Sequence, residues 1–244
     1  MSTSTASRVR PEWLTARPIA HRGLHTLPHA PENSLAAFAA AVDAGFPIEL
    51  DVRLLTDGKV AVFHDYDLAR LTGAAGPLTA RSANDIRALR LLGTDEHIPL
   101  LAEALDFVAG GVPLLVEIKS DPADPSSVGP LERATLEALA GYTGAFAVQS
   151  FSPATVAYLA ARAPQIVRGQ LASDDRWRAD ADDAEHEPPL PDFIAYHLRA
   201  LPTPLSSALR ARGVPLLAWT IQTPEQQRRA VEVADNYIFE AIQP

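Results

Sequence analysis

Cysteine is missing from all 244 residues. Its absence excludes disulfides, thiolate zinc sites, iron–sulfur clusters and a cysteine nucleophile. Basic residues are scarce: 21 Lys and Arg stand against 30 Asp and Glu, for a net charge of −9. That balance argues against nucleic acid as a partner, because affinity for long polyanions rests on Lys and Arg neutralising phosphates. A small anionic substrate stays open where a cation or a local Arg/Lys pair compensates. No apolar run approaches the roughly 18–20 residues of a membrane span; the longest, around residues 35–45, is broken by Asp43. The first dozen residues carry no apolar stretch of the secretory kind. A cytoplasmic protein without stable membrane insertion is therefore expected.

Hydrophobic residues make up 47% of the chain, enough for a full core, and its length is close to the ~250 residues usual for an eightfold β/α barrel. Apolar strand patterns begin near residues 17, 47, 112, 145, 166, 193, 214 and 237, with helical patterns between most of them. Asn33-Ser34 reads as the cap of an alanine-rich helix that Gly45 stops. The alternation predicts an α/β fold, a (β/α)8 TIM barrel occupying residues 1–244 as one domain, with a polar tail over 1–16. An open doubly wound sheet would normally place a Gly-rich phosphate turn after the first strand. His21-Arg22-Gly23 has a single glycine there.

The rhythm breaks once. Too few residues separate Val52 from Val60 for a parallel crossover, so 60–64 must return antiparallel as a β-hairpin arm after strand 2. The Asp57-Gly58 pair signals a tight turn. Centring the turn there pairs Leu55 with Val60, Arg53 with Val62 and Asp51 with His64. Residues 66–97, rich in Gly, Pro and Thr with one amphipathic piece over 82–92, read as a small insertion too short for a core of its own. An acidic, Pro-rich passage over 173–191 reads as a solvated surface segment.

Reactive side chains gather at predicted strand C-terminal ends, the face on which barrels carry their sites. His21 and Arg22 end strand 1. Glu49 and Asp51 lie two apart at the end of strand 2 and so share one face; Glu117 and Lys119 do the same after Val116. Gln149, Gln170, His197, Trp219 and Glu240 close later strands. Three acids within mutual reach repel strongly unless a cation or protons neutralise them. Hydrolysis at phosphorus fits this set. Glu49, Asp51 and Glu117 offer hard oxygen ligands, suited to Mg²⁺ first and Ca²⁺ second. Arg22 and Lys119 can clamp a phosphate. His21 and His64 titrate near neutrality and can serve as acid and base, in either order.

At these residues the chain resembles the glycerophosphodiester phosphodiesterase family of barrel enzymes. The matching strings are His-Arg-Gly at 21–23, Pro-Glu-Asn-Ser at 31–34, Glu-Leu-Asp-Val at 49–52, Thr-Asp-Gly at 56–58 and Val-Phe-His-Asp at 62–65. Val-Glu-Ile-Lys at 116–119, Gln-Ser-Phe at 149–151 and Ala-Trp-Thr at 218–220 follow in order. The resemblance implies that Glu49, Asp51 and Glu117 hold the divalent cation and that His21 and His64 are the acid–base pair. It implies phosphate contacts from Arg22 and Lys119, a pocket lined by Trp219, and a glycerol-side wall shaped by the insertion. It further implies that the glycerol 2-hydroxyl of a small glycerophosphodiester attacks phosphorus and expels the alcohol. Water then opens the cyclic phosphate to sn-glycerol 3-phosphate. Within the enzymes, the alternative is a lysophospholipase D-type activity, which needs an apolar rim; the acidic 173–191 passage leans against it. A silent phosphodiester-binding barrel is the other alternative, and it would be signalled by loss of one of the two histidines or three acids. All five are present. The sequence departs from the family pattern where Ser34 stands for the commoner Thr, where Ile221-Gln222 follows Trp219-Thr220 in place of a branched residue and Asn, and where Phe239-Glu240 precedes Ala241 in place of a Thr-Asp-x-Pro signature.

Overall fold

The computed structural model describes residues 11–120, 127–175, 177 and 190–244. Nine strands are present among them: β1 (Ile19–Ala20), β2 (Ile48–Leu54), β3 (Val60–Val62), β4 (Leu114–Ile118), β5 (Phe146–Ser150), β6 (Arg168–Ala172), β7 (Phe193–His197), β8 (Leu216–Ile221) and β9 (Asn236–Phe239). Eight of them run parallel in the order β1-β9-β8-β7-β6-β5-β4-β2, and a further pairing of β1 with β2 closes the ring. This is the predicted (β/α)8 barrel. β3 lies antiparallel on β2 as the predicted hairpin arm.

Alternation along each strand sorts the side chains. Leu50, Val52, Val116 and Val148 face outward and pack beneath the surrounding helices, among them Leu35–Ala44, Leu101–Val108 and Pro153–Arg162. The inward positions change character along the barrel axis. Ile19, Leu115, Ala147, Phe193, Leu217 and Ile238 fill the lower interior as an apolar plug. One or two strand positions higher come His21, Glu49, Asp51, Glu117, Gln149, Trp219 and Glu240. The same eight strands thus make a core at one end and a polar mouth at the other.

Two expectations are corrected here. Residues 13–16 are not tail: Trp13–Ala16 is a short helix, and its fully buried Leu14 joins the lower plug. Asn236 secures it by donating from Nδ2 to the carbonyls of Leu14 and Arg17 at 2.8 and 2.6 Å. The hairpin register is also one residue off. Val52 pairs with Val62 and Leu54 with Val60, so Phe63 donates its N–H to Asp51 O at 2.9 Å and His64 does not face Asp51 across the ladder. The cause is a three-residue loop, Thr56-Asp57-Gly58, closed by a bond from Leu55 N–H to Lys59 O at 2.9 Å, with Gly58 left-handed at φ 77°.

The insertion packs on the arm. Leu68, Leu71, Leu78, Ile86 and Leu91 bury against Leu55, Ala61 and Phe63 as a second apolar cluster, separate from the barrel layers. Most of the 173–191 passage, expected as a solvated segment, lies outside the described residues. Among the described residues, no helix is long and apolar enough to cross a membrane.

Candidate active site

His-Arg-Gly is a turn built for close approach. The N–H of His21 donates to Phe239 O at 2.8 Å, pinning it to the last strand. Arg22 takes the left-handed region at φ 56°, which aims its own N–H at Glu49 Oε2, 3.0 Å away. A non-glycine residue there stores strain of the kind that collects at functional sites. Gly23 follows at φ 81°, and a Cβ on it would stand 2.9 Å from the backbone of Ala37. Ser34 is the true helix cap, bonding Ala37 N–H. Asn33, expected to share that task, instead donates from Nδ2 to Asp51 Oδ2 at 2.8 Å.

Glu49, Asp51 and Glu117 are 1%, 0% and 6% exposed, and one oxygen from each lies within 4.8 Å of the others. Lys119 Nζ is 2.7 Å from Glu117 Oε1 and 3.1 Å from Asp51 Oδ1, while Arg22 Nε is 3.3 Å from Asp51 Oδ2. Among the described residues no Lys or Arg ion pair reaches Glu49, and its Oε1 is buried without a hydrogen bond. Three carboxylates therefore face two local cations. Burial, reinforced by Asp51 and Glu117, drives the Glu49 carboxyl well above its ordinary range. Burial likewise pushes Glu117 up to about 7 against the pull of Lys119. Asp51 goes the other way: burial would raise it, but Lys119, Arg22 and the two histidines together hold it low. An orphaned buried oxygen, an all-oxygen donor set and an unbalanced charge are what a hard divalent cation would satisfy.

The two histidines reach the same space by different routes. His21 directly follows β1, 4.0 Å by Nε2 from Glu49 Oε2, and gives its Nδ1–H to Glu240 Oε2 at 2.5 Å. His64 stands beyond the end of β3, where the Arg53 guanidinium grips its carbonyl twice, at 2.9 and 2.7 Å. Its Nδ1 bonds Asp65 Oδ1 at 2.8 Å. Arg70 then ties Asp65 to Glu32 with two bonds to each, and Glu32 accepts from Arg22 Nη1 at 2.6 Å. Burial lowers both imidazoles from their ordinary value.

A cavity of about 90 Å³ is lined by His21, Arg22, Glu49, His64, Glu117, Lys119 and Trp219, with Gln149 and Phe151. It has room for several waters, or for a phosphoryl group. A larger hollow of about 570 Å³ shares its His64, Glu117, Lys119 and Phe151 wall and adds Leu54, Tyr66, Ile118 and Leu131. Trp219 stacks edge-on with Phe151 and His197, at 5.4 and 4.9 Å between centroids.

All eight residues singled out from the sequence thus converge, Asp51 lying beneath the cavity wall as the partner of Arg22 and Lys119. Gln170 does not join them; its amide bonds the carbonyls of Ser150, Phe151 and Leu171. Sequence reasoning missed Asn33, Glu32, Asp65 and Arg70. The signal for Asn33 was a second capping residue beside Ser34, where one cap suffices; for Asp65 it was a carboxylate directly after His64.

Fold and site together define a (β/α)8 barrel that gathers three acids, two histidines, an arginine and a lysine at its mouth. Residues 21–239 match the model of the glycerophosphoryl diester phosphodiesterase family, and the chain belongs to that family of phosphoric diester hydrolases. It is 26% identical over 234 residues to the uncharacterized protein YqiK of Bacillus subtilis, covering 90% of this chain and 92% of that one. Among solved structures it is similar to a glycerophosphodiester phosphodiesterase from Thermotoga maritima, at 26% identity and TM-score 0.71, covering 91% and 94% of the two chains. It also shares its fold with an Oleispira antarctica phosphodiesterase solved with the product sn-glycerol-3-phosphate, at 24% identity and TM-score 0.79, covering 93% and 94%.

Proposed function

We propose that the chain hydrolyses glycerophosphodiesters, such as glycerophosphocholine and glycerophosphoethanolamine, to sn-glycerol 3-phosphate and the free alcohol. The observation that carries this is the meeting of His21, Arg22, His64 and Lys119 around one phosphoryl-sized cavity above three buried acids. The product bound to the Oleispira relative lends support. Glu49, Asp51 and Glu117 would hold a divalent cation, Mg²⁺ first and Ca²⁺ second, and the cation would supply charge to polarise a phosphoryl oxygen.

The chain's own groups do the rest. Arg22 and Lys119 clamp the phosphate oxygens, the first through a planar fork and the second as a point charge. Each histidine has its Nδ1 engaged by a carboxylate, so each presents Nε2 to the substrate. One takes the proton of the attacking glycerol 2-hydroxyl and the other protonates the departing alkoxide; with the roles reversed they then pass a water onto the cyclic phosphate, opening it to sn-glycerol 3-phosphate. Trp219 and Phe151 close an apolar wall against the glycerol or alcohol carbons.

The test is release of sn-glycerol 3-phosphate from glycerophosphocholine with Mg²⁺, with Ca²⁺ and with EDTA. Turnover that needs a cation and stops in EDTA is expected. Activity indifferent to EDTA would remove the cation's role. A second reading, cleavage of lysophospholipids, draws on the apolar lining of the larger hollow. Faster turnover of lysophosphatidylcholine than of glycerophosphocholine would favour it.

A further inference from the structure

Glu240 follows the last residue of β9 and engages His21 without itself taking part in the proton transfers above. The closing seam of the barrel decides its neighbours. Ala20 pairs with Phe239 in parallel register, so the next residues, His21 and Glu240, emerge side by side on one face. On the other flank, Glu240 donates its N–H to Ile221 O at 3.0 Å, which sets Gln222 beside it. The side chains follow the backbone. Glu240 Oε2 accepts from His21 Nδ1, and Oε1 accepts from Gln222 Nε2, each at 2.5 Å. His25 Nε2 stands 3.4 Å from Oε2. Each carboxylate oxygen is thus committed to a different donor. Glu240 does not line the 90 Å³ cavity, so any effect it has on a substrate there passes through His21.

We propose that Glu240 is the positioning residue for His21, holding the proton on Nδ1 so that Nε2 meets the reacting centre as an acceptor, with Gln222 fixing how the Glu240 side chain is turned. The proposal rests on the phosphodiesterase function above, in which His21 transfers a proton. A neutral imidazole carries one N–H, and an ionised carboxylate can only accept. The bond at Nδ1 therefore keeps the lone pair on Nε2, the atom nearer Glu49. Among the described residues nothing but Glu240 bonds Nδ1. Gln222 and Glu240 are also two of the places where the sequence departs from the family pattern. They touch each other, so the departures act as one unit.

Glu240→Gln tests this with little change of shape. With Gln222 kept as it stands, Nε2 toward residue 240, the new amide turns its oxygen to Gln222 and its NH₂ to His21. That NH₂ requires a lone pair on Nδ1 and drives the proton to Nε2, the wrong tautomer for a base. The expected result is a kcat on glycerophosphocholine lower by on the order of 10²-fold, with KM within about twofold. The ¹⁵N signals of the His21 ring should move from the Nδ1–H to the Nε2–H form. The swap Gln222→Glu with Glu240→Gln puts an acceptor behind the amide and turns its oxygen back to His21. It should restore the Nδ1–H signals and recover about tenfold in kcat. In a His21→Ala background, Glu240→Gln should change the rate by less than about twofold. The proposal is overturned by Glu240→Gln with wild-type kcat, by an unchanged tautomer, by a swap no better than the single variant, or by a further large loss in the His21→Ala background. A wild-type chain inactive on glycerophosphodiesters would instead overturn the phosphodiesterase function, and the ring signals would still decide whether Glu240 holds His21.

Discussion

Removing charge from the acidic cluster should separate the protein's own stability from its cation-linked stability. Two carboxylates within 4.8 Å of each other repel by at least ~3.5 kcal/mol at an effective dielectric near 20. Lys119 and Arg22 offset part of this at Asp51 and Glu117 through close ion pairs, and act on Glu49 only from farther away. Without a cation the repulsion is relieved by protons; burial first, and the neighbouring acids second, hold Glu49 well above its usual range and Glu117 up to about 7. A cation needs the ionised acids. Its affinity must therefore rise as pH climbs through the raised values and fall below them. At a free concentration 100 times Kd, binding stabilises by ~2.7 kcal/mol. At roughly 2–4 °C per kcal/mol for a chain of this size, Tm should rise by ~5–11 °C. Glu49→Gln keeps the volume and discards the charge. It should leave the cation-free Tm within about 2 °C, because burial beside Asp51 and Glu117 already favours the neutral form of Glu49, and remove most of the Mg²⁺ increment. Thermal unfolding in EDTA and in saturating Mg²⁺, at about pH 6 and about pH 8, measures all three quantities. A wild-type Tm unmoved by Mg²⁺ or Ca²⁺, an increment that survives Glu49→Gln, or a larger increment at the lower pH would refute the reasoning.

Two further outcomes follow from single contacts. His64→Ala should lower kcat by ~10²-fold or more, the usual worth of a lost general acid or base; steady-state kinetics with near-normal turnover would take His64 out of the chemistry. Gly23→Ala forces a side chain into a left-handed residue, at ~1–2 kcal/mol, and overpacks it against the Ala37 backbone 2.9 Å away, adding ~1–3 kcal/mol. Urea unfolding should show the summed loss, and an unchanged midpoint would mean the turn relaxes freely.

The parts of the site that were legible in the sequence are those fixed by strand period. Glu49 and Asp51, and Glu117 and Lys119, are two apart, and in a strand that spacing alone puts both members of a pair on one face. The register of the arm was not legible, because Asp57-Gly58 suits both a two-residue and a three-residue loop. What selects the longer one is Asp57 itself: its Oδ2 accepts from Ala83 N–H at 3.1 Å, so the turn is tied into the insertion. His64 still arrives at the cavity, but through the Arg53 grip on its carbonyl. Glu240 could be seen as a strand-end acid, yet its bond to His21 spans 219 positions and depends on how the ring closes. Local pattern carries no information about that.

The closing seam has a consequence for how the barrel breathes. β1 contributes only two residues, one paired with β2 and both with β9, so the ring is thinnest there. Opening of a protein starts where few backbone bonds must break at once, and here that place lies directly under His21. A ligand that bridges Arg22 on one side of the seam and Trp219 on the other would act as a fastener. Amide exchange at Ala20 and His21 should slow with occupancy more than exchange in β4 to β6, where neighbouring strands already share longer ladders. The least secured joint in the barrel would then be the one whose closure the substrate itself completes.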